Sequence, residues 1–195
     1  MEGLYLVTDR ALCGGRPLTD VVRQAVEGGA SAVQLREKDI STRDFVEEAK
    51  AIKKILVSFG VPLIINDRID VALAVEADGV HVGQSDMPYA VARKLMGRKA
   101  IIGVSVETWD HVENAQELDC DYIGVSPVFE TPTKTDTRGA WGLDGLKRIR
   151  DYSRHKLVAI GGINESNAAQ VVAAGAHSIA VVSAICCADN PREAA

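Results

Sequence analysis

Two aspartates, a pair of basic side chains and a glycine doublet are the residues of this 195-residue chain whose types and spacing can do chemistry. Asp67 and Asp86 each follow a short apolar run, so their carboxylates can converge across a short gap. Such a pair suits Mg²⁺, a hard cation that keeps some waters and completes its shell with phosphate oxygens. Arg36 and Lys38, within Gln34-Leu35-Arg36-Glu37-Lys38-Asp39, have the charge to hold a diphosphate, and Lys134 adds a further cation. Gly161-Gly162 lets backbone N–H groups approach phosphate oxygens, and Val182-Ser183 opens a second turn of the same kind. Each feature also has a plainer reading. Asp67 can cap a helix over residues 69–75, and Asp86 one that starts at Met87-Pro88. Arg36 and Lys38 can form a solvated face paired with Glu37 and Asp39. The glycines and Ser183 can be a tight turn and a helix cap.

The elements that must position these residues alternate along the whole chain. Short, β-branched, nearly continuous apolar runs at 4–8, 32–35, 63–66, 79–82, 101–105, 122–125, 157–160 and 178–182 read as strands buried on both faces. Between them, apolar residues recur at helical spacing over 18–27, 42–59, 91–96, 109–117, 143–152 and 167–174. Gly28-Gly29, Gly60, Gly97 and Gly175 stand where helix C-termini want a left-handed residue. Strict alternation means parallel strands joined by crossover helices. Eight units in 195 residues leave about 24 residues each, the short end of the range for a TIM (β/α)₈ barrel. The predicted fold is therefore α/β, one compact barrel domain over residues 1–195. A doubly wound open sheet, its competitor, has fewer strands and a Gly-rich loop after the first, where this chain reads Thr8-Asp9-Arg10.

In a barrel the loops after the strands share one rim, so these polar segments face a common site. Asn66-Asp67-Arg68, Gly83-Gln84-Ser85-Asp86, Ser105 and Gly161-Gly162-Ile163-Asn164 all belong to it. The turns after strands seven and eight are where such barrels hold a phosphate. The longest loop, 126–142, has the length of a lid or binding loop and offers the hydroxyls of Thr131 and Thr133. Trp141, near its end, covers the pocket or packs in the core. His81, inside strand four, reads as a satisfied interior histidine.

Composition limits the partners. Hydrophobic residues make up 47 % of the chain and charged residues 25 %, enough apolar side chain to exclude disorder. No apolar stretch approaches the roughly 20 residues of a membrane span. Glu2 stands where a signal peptide carries positive charge, so a cytoplasmic location is expected. A net charge of −5 with no basic run argues against nucleic acid or an anionic membrane, leaving small molecules as partners. A homo-oligomer is compatible with the sequence, which carries no signal for one. Cys13, Cys120, Cys186 and Cys187 form no CxxC, and the adjacent pair is expected to pack beside a core as thiols. The four histidines lack metal-ligand spacing.

Tyr5-Leu-Val-Thr-Asp9, Val33-Gln-Leu-Arg-Glu-Lys38, Leu63-Ile-Ile-Asn-Asp-Arg68 and Gly79-Val-His-Val-Gly-Gln-Ser-Asp-Met-Pro88 resemble the thiamine-phosphate synthase (thiamine-phosphate pyrophosphorylase) family. So do Ile102-Gly-Val-Ser105, Tyr122-Ile-Gly-Val-Ser-Pro-Val-Phe129, Thr131-Pro-Thr-Lys134, Ala159-Ile-Gly-Gly-Ile163 and Val181-Val-Ser-Ala-Ile185. The resemblance implies that hydroxymethylpyrimidine diphosphate loses pyrophosphate through a pyrimidine-methyl cation. A thiazole phosphate, or its carboxylated form, then takes the methylene carbon on its ring nitrogen. By position it implies that Gln34, Leu35, Arg36, Glu37, Lys38, Asn66, Ser105 and Lys134 bind the pyrimidine diphosphate. Of these, Arg36, Lys38, Ser105 and Lys134 are the expected catalytic residues. Asp67 and Asp86 would hold Mg²⁺, and Thr131, Pro132, Thr133, Gly162, Val182 and Ser183 the thiazole phosphate.

Two positions depart from the family pattern. Ser105 is followed by Val106-Glu107-Thr108-Trp109, where many members have small or hydroxyl residues and then His, and Ser126 replaces a common glycine before Pro127. A related thiazole tautomerase, or a sensor of a thiamine precursor, needs no metal–diphosphate apparatus, and the presence here of Arg36, Lys38, Asn66, Asp67, Asp86 and Lys134 argues against both.

Overall fold

The computed structural model describes residues 2–130 and 139–195. The eight apolar runs become β1 (Gly3–Val7), β2 (Ala30–Leu35), β3 (Leu63–Asn66), β4 (Gly79–Val82), β5 (Ile101–Val106), β6 (Tyr122–Val125), β7 (Lys156–Ile160) and β8 (Ser178–Val181). Each pairs in parallel with the next, and β8 pairs with β1, so among the described residues the sheet closes into a barrel in chain order. Backbone pairing extends β5 past its apolar run, since Val106 is in register with Val125, whereas β1 and β8 stop one residue short of theirs, at Val7 and Val181.

The crossovers are α1 (Leu18–Gly28), α2 (Thr42–Phe59), α3 (Ile69–Ala74), α4 (Tyr89–Met96), α5 (Trp109–Ala115), α6 (Gly142–Tyr152), α7 (Ala168–Ala173) and α8 (Ser183–Cys186). The longest, α2, starts where the Ser41 side chain accepts from the Asp44 N–H and stops at Gly60, whose φ of 66° is left-handed. α1 runs one residue further than expected, and the second glycine of the expected pair, Gly29, closes it. No helix among the described residues is long and apolar enough to cross a membrane.

Alternation along the strands makes two cores. Outward side chains such as Leu6, Val33, Leu35, Ile65, Val80, Ile102, Ile123 and Leu157 bury against the apolar faces of the helices. Inward ones, Tyr5, Val7, Ala32, Ile64, Tyr122, Val158 and Ala180, form a smaller cluster inside the barrel. The inner wall needs room as well as bulk. A Cβ on Gly103 would lie 2.1 Å from Tyr122 Cζ, and one on Gly124 3.0 Å from His81 Cε1, so both strand glycines make space for inward rings. Cys13, Cys120 and Cys186 are buried free thiols; of the adjacent pair expected to pack beside a core, Cys186 does so and Cys187, which follows the single turn of α8, is exposed.

Candidate active site

The C-terminal rim of the barrel opens into a cavity of about 640 Å³. Of the residues expected there, Gln34, Arg36, Lys38, Asn66, Asp67, Asp86, Ser105, Gly162, Val182 and Ser183 line it. Leu35 and Glu37 do not. The two-residue period of β2 continues past the strand's end, turning Gln34, Arg36 and Lys38 inward and Leu35 and Glu37 toward the helix layer. Thr131, Pro132, Thr133 and Lys134 lie outside the described residues. Trp141 packs against the outer core instead of covering the cavity.

The floor is a row of hydrogen-bonded side chains that the sequence reading did not assemble. Gln34 Nε2 donates to Tyr5 OH at 3.1 Å, and Tyr5 OH lies 3.0 Å from Tyr122 OH. Tyr122 OH lies 3.0 Å from His81 Nδ1, and His81 Nε2 lies 2.8 Å from Ser105 Oγ. The His81 and Tyr122 rings stack at 5.5 Å. His81 is satisfied, as expected, and it also faces the cavity. Burial pushes both phenols well above the ordinary tyrosine range, so they remain neutral O–H groups.

Charges gather on the wall above. Lys38 Nζ donates to Asp67, whose carboxylate in turn lies against that of Asp86. Burial first, and then the neighbouring Asp67, push the Asp86 carboxyl up, while Lys38 opposes the shift. Neither aspartate caps a helix. Asp67 has a φ of 59°, whereas an N-cap is extended, and α3 is instead preceded by Arg68 with no side-chain cap. Asp86 Oδ2 accepts from the Gly83 N–H at 2.8 Å, folding back on its own turn, and a Cβ on Gly83 would meet that oxygen at 2.9 Å. Two hard oxygen donors held together at the cost of mutual repulsion fit a divalent cation that takes its other ligands from water and phosphate.

Arg36 and Lys38 are not a solvated face paired with Glu37 and Asp39. Arg36 Nη1 stands 3.8 Å from Asp9 Oδ2, and the Arg36 N–H donates to the buried Thr8 Oγ1 at 3.0 Å. Behind them Glu37 meets Arg10 at 3.2 Å, and Arg10 also pairs with Glu48 of α2. Burial, then the Glu48 carboxylate, push Glu37 up to about 7, with Arg10 pulling the other way.

The turns after β7 and β8 differ from each other. α7 starts at Ala168, one residue after the expected 167, so five residues separate Gly162 from the helix. The glycine doublet is demanded by the neighbouring loop. Cβ atoms on Gly161 and Gly162 would lie 2.6 Å from Pro127 Cβ and 2.8 Å from Phe129 Cβ. Val128 and Phe129 donate to the Ile160 and Gly161 carbonyls at 2.9 and 3.1 Å, so the root of the long loop runs along β7. Ser183 is the first residue of α8 and not its cap, which is Val182. A single turn has little macrodipole; Ser183 and Ala184 line the cavity as the start of a helix, whose first N–H groups have no partner within the helix itself.

A cavity with two cations on one wall, a carboxylate pair between strands and a ring of N–H and O–H groups can bind a phosphorylated substrate and stabilise a departing phosphate. Comparison with known proteins agrees. The thiamine monophosphate synthase family model matches residues 4–185. The thiamine-phosphate synthase of Albidiferax ferrireducens is 57 % identical over 192 residues, 98 % of this chain and 88 % of that one. That of Vibrio parahaemolyticus is 55 % identical over 98 % of this chain and 94 % of its own. The solved thiamine phosphate pyrophosphorylase of Pyrococcus furiosus superposes with a TM-score of 0.90 at 41 % identity, covering 98 % of this chain and 91 % of that one.

Proposed function

This chain belongs to the thiamine monophosphate synthase family, and from that premise we propose the work of each residue in a transferase that makes thiamine phosphate. The observation that carries the proposal is the cluster of Lys38, Asp67 and Asp86 with Arg36 on the lining of one cavity. Hydroxymethylpyrimidine diphosphate is the electrophile. Its methylene C–O bond breaks, and the electron pair leaves with pyrophosphate. The lone pair of a thiazole phosphate's ring nitrogen then forms the new C–N bond; when the thiazole is the carboxylated one, its carboxylate is lost as CO₂ to give the same product.

Arg36 and Lys38, with Lys134, bind the diphosphate and stabilise the charge that accumulates on it as the bond opens, which is electrostatic catalysis without an enzyme nucleophile. Gln34, Asn66 and Ser105 hold the pyrimidine ring. Asp67 and Asp86 are the residues to hold Mg²⁺, which when bound would neutralise diphosphate charge. Gly162, Val182 and Ser183, with Thr131, Pro132 and Thr133, bind the thiazole phosphate, and the loop over 126–142 keeps water from the reactive carbon. Leu35 and Glu37, on the far side of the same segment, support Arg36 and Lys38 from behind. A cytoplasmic location suits a chain whose cysteines are free thiols.

The test is pyrophosphate release and thiamine phosphate formation from both substrates, with and without Mg²⁺. Both products, dependent on Mg²⁺, are expected. Folded protein that binds the thiazole phosphate yet yields neither product would overturn the assignment.

A further inference from the structure

The Ser105–His81 contact on the cavity floor has the spacing of a nucleophile and its base. Its hydrogen-bond neighbours assign it another part. Four contacts link Gln34, Tyr5, Tyr122, His81 and Ser105 into one row, and the protons along that row can be ordered in two ways.

In the first order, Gln34 Nε2 donates to Tyr5 and Tyr5 donates to Tyr122. Tyr122 then donates to an unprotonated His81 Nδ1, and His81 Nε2–H donates to Ser105. Every donor along the row has an acceptor, and the Ser105 proton is left to point into the cavity. In the second order, Ser105 donates to His81 Nε2, His81 Nδ1–H to Tyr122, and Tyr122 to Tyr5. Tyr5 then accepts from both Gln34 and Tyr122, and its own proton meets no acceptor among the described residues. Tyr5 is 1 % exposed, so that proton would be buried and unpaired, which costs far more than a lost surface hydrogen bond. With Gln34 Nε2 turned to Tyr5, as the amide is placed, the first order wins.

The rest of the floor is built to hold it. Gly103 and Gly124 clear the space in which the Tyr122 and His81 rings stack. The Gln84 amide donates to the Ser105 carbonyl at 2.6 Å and pins that residue's backbone.

We infer that Tyr5, Tyr122 and His81 are positioning residues whose ordered protons hold Ser105 as a hydrogen-bond donor toward an unprotonated ring nitrogen of the heteroaromatic substrate. His81, already donating through Nε2, does not take the Ser105 proton, so Ser105 serves recognition and not attack. This inference rests on the reading that the pyrimidine diphosphate occupies this cavity.

Two measurements test it. The first needs no activity: ¹⁵N chemical shifts of the His81 ring in the whole, unliganded chain. Protonated Nε2 with bare Nδ1 is expected, and protonated Nδ1 overturns the inference. The second is steady-state kinetics of Tyr122→Phe and Tyr5→Phe, which keep the rings and remove one hydroxyl each. Tyr122→Phe should raise KM for the pyrimidine diphosphate about threefold to tenfold, the range of one net hydrogen bond. KM for the thiazole phosphate should not change, and the His81 shifts should move toward a tautomer mixture. Tyr5→Phe should do the same more weakly, since Tyr122 can still donate to His81. A lower melting temperature with both KM values unchanged would make the row purely structural and overturn the positioning role. Failure of the wild-type chain to turn over the pyrimidine diphosphate would overturn the functional reading while leaving the proton order measurable.

Discussion

Asp67 holds a left-handed backbone, φ 59°, that costs an L residue on the order of 1 kcal/mol. Its N–H donates to the His81 carbonyl at 2.9 Å, which ties the end of β3 to β4 and aims the carboxylate at Lys38 and Asp86. The strain and the repulsion from Asp86 are both relieved in Asp67→Asn, because asparagine tolerates this conformation better and carries no charge. The variant loses the ion pair with Lys38, which is half-exposed and contributes little. Stability within about 1 kcal/mol of the parent is expected, with turnover down by about a hundredfold or more. Parallel melting curves and Mg²⁺-dependent rates check it; a parent-like rate in the folded variant would remove Asp67 from the metal pair. The importance of this aspartate was legible from its place after an apolar run. Its backbone angle was not, and the angle is what excludes the capping reading.

The segment from Gln34 to Lys38 shows how far an element's pattern reaches beyond its last residue. Strand alternation carries into the loop and sorts cavity residues from supporting ones, a signal that was present in the sequence and that the family resemblance masked. The partners of Glu37 left no such trace, since Arg10 and Glu48 come from a turn and a helix 38 residues apart. Their packing has a consequence for pH. Glu37 is lifted from the ordinary value of 4.5 to about 7, so the folded chain keeps that proton to a higher pH than the unfolded one does. Ionising it therefore costs stability between about pH 4.5 and 7, and the loss is complete above that window. Glu37→Gln should melt with the parent near pH 4.5 and be more stable at pH 8, by on the order of 1 kcal/mol. A difference that stays flat across pH would mean that the carboxyl is not raised.

For the molecule as a whole, eight apolar runs at even pitch made the barrel legible, and the strands lie within two residues of the expected runs. The inner wall was harder to read, because it is assembled across the ring: Tyr5 and Tyr122 meet although 117 positions separate them. No local spacing encodes such a meeting, and the two glycines that permit it look like interruptions of strands.

The ion pairs at the rim reach beyond the site itself. The chain carries a net charge of −5, and Arg36 and Lys38 stand beside Asp9 and Asp67 before any substrate arrives. Among the described residues, an approaching polyanion therefore meets cations already paired with carboxylates, and these two add little long-range attraction to its encounter rate. Raising the ionic strength from about 0.02 to 0.2 M, which shortens the screening length severalfold, should change the association rate less than about threefold. Stopped-flow binding of the pyrimidine diphosphate measures this, and a fall of about tenfold or more would show that attraction at a distance matters after all. Selection among polyanions then takes place after contact, as the newcomer displaces carboxylates from the two cations.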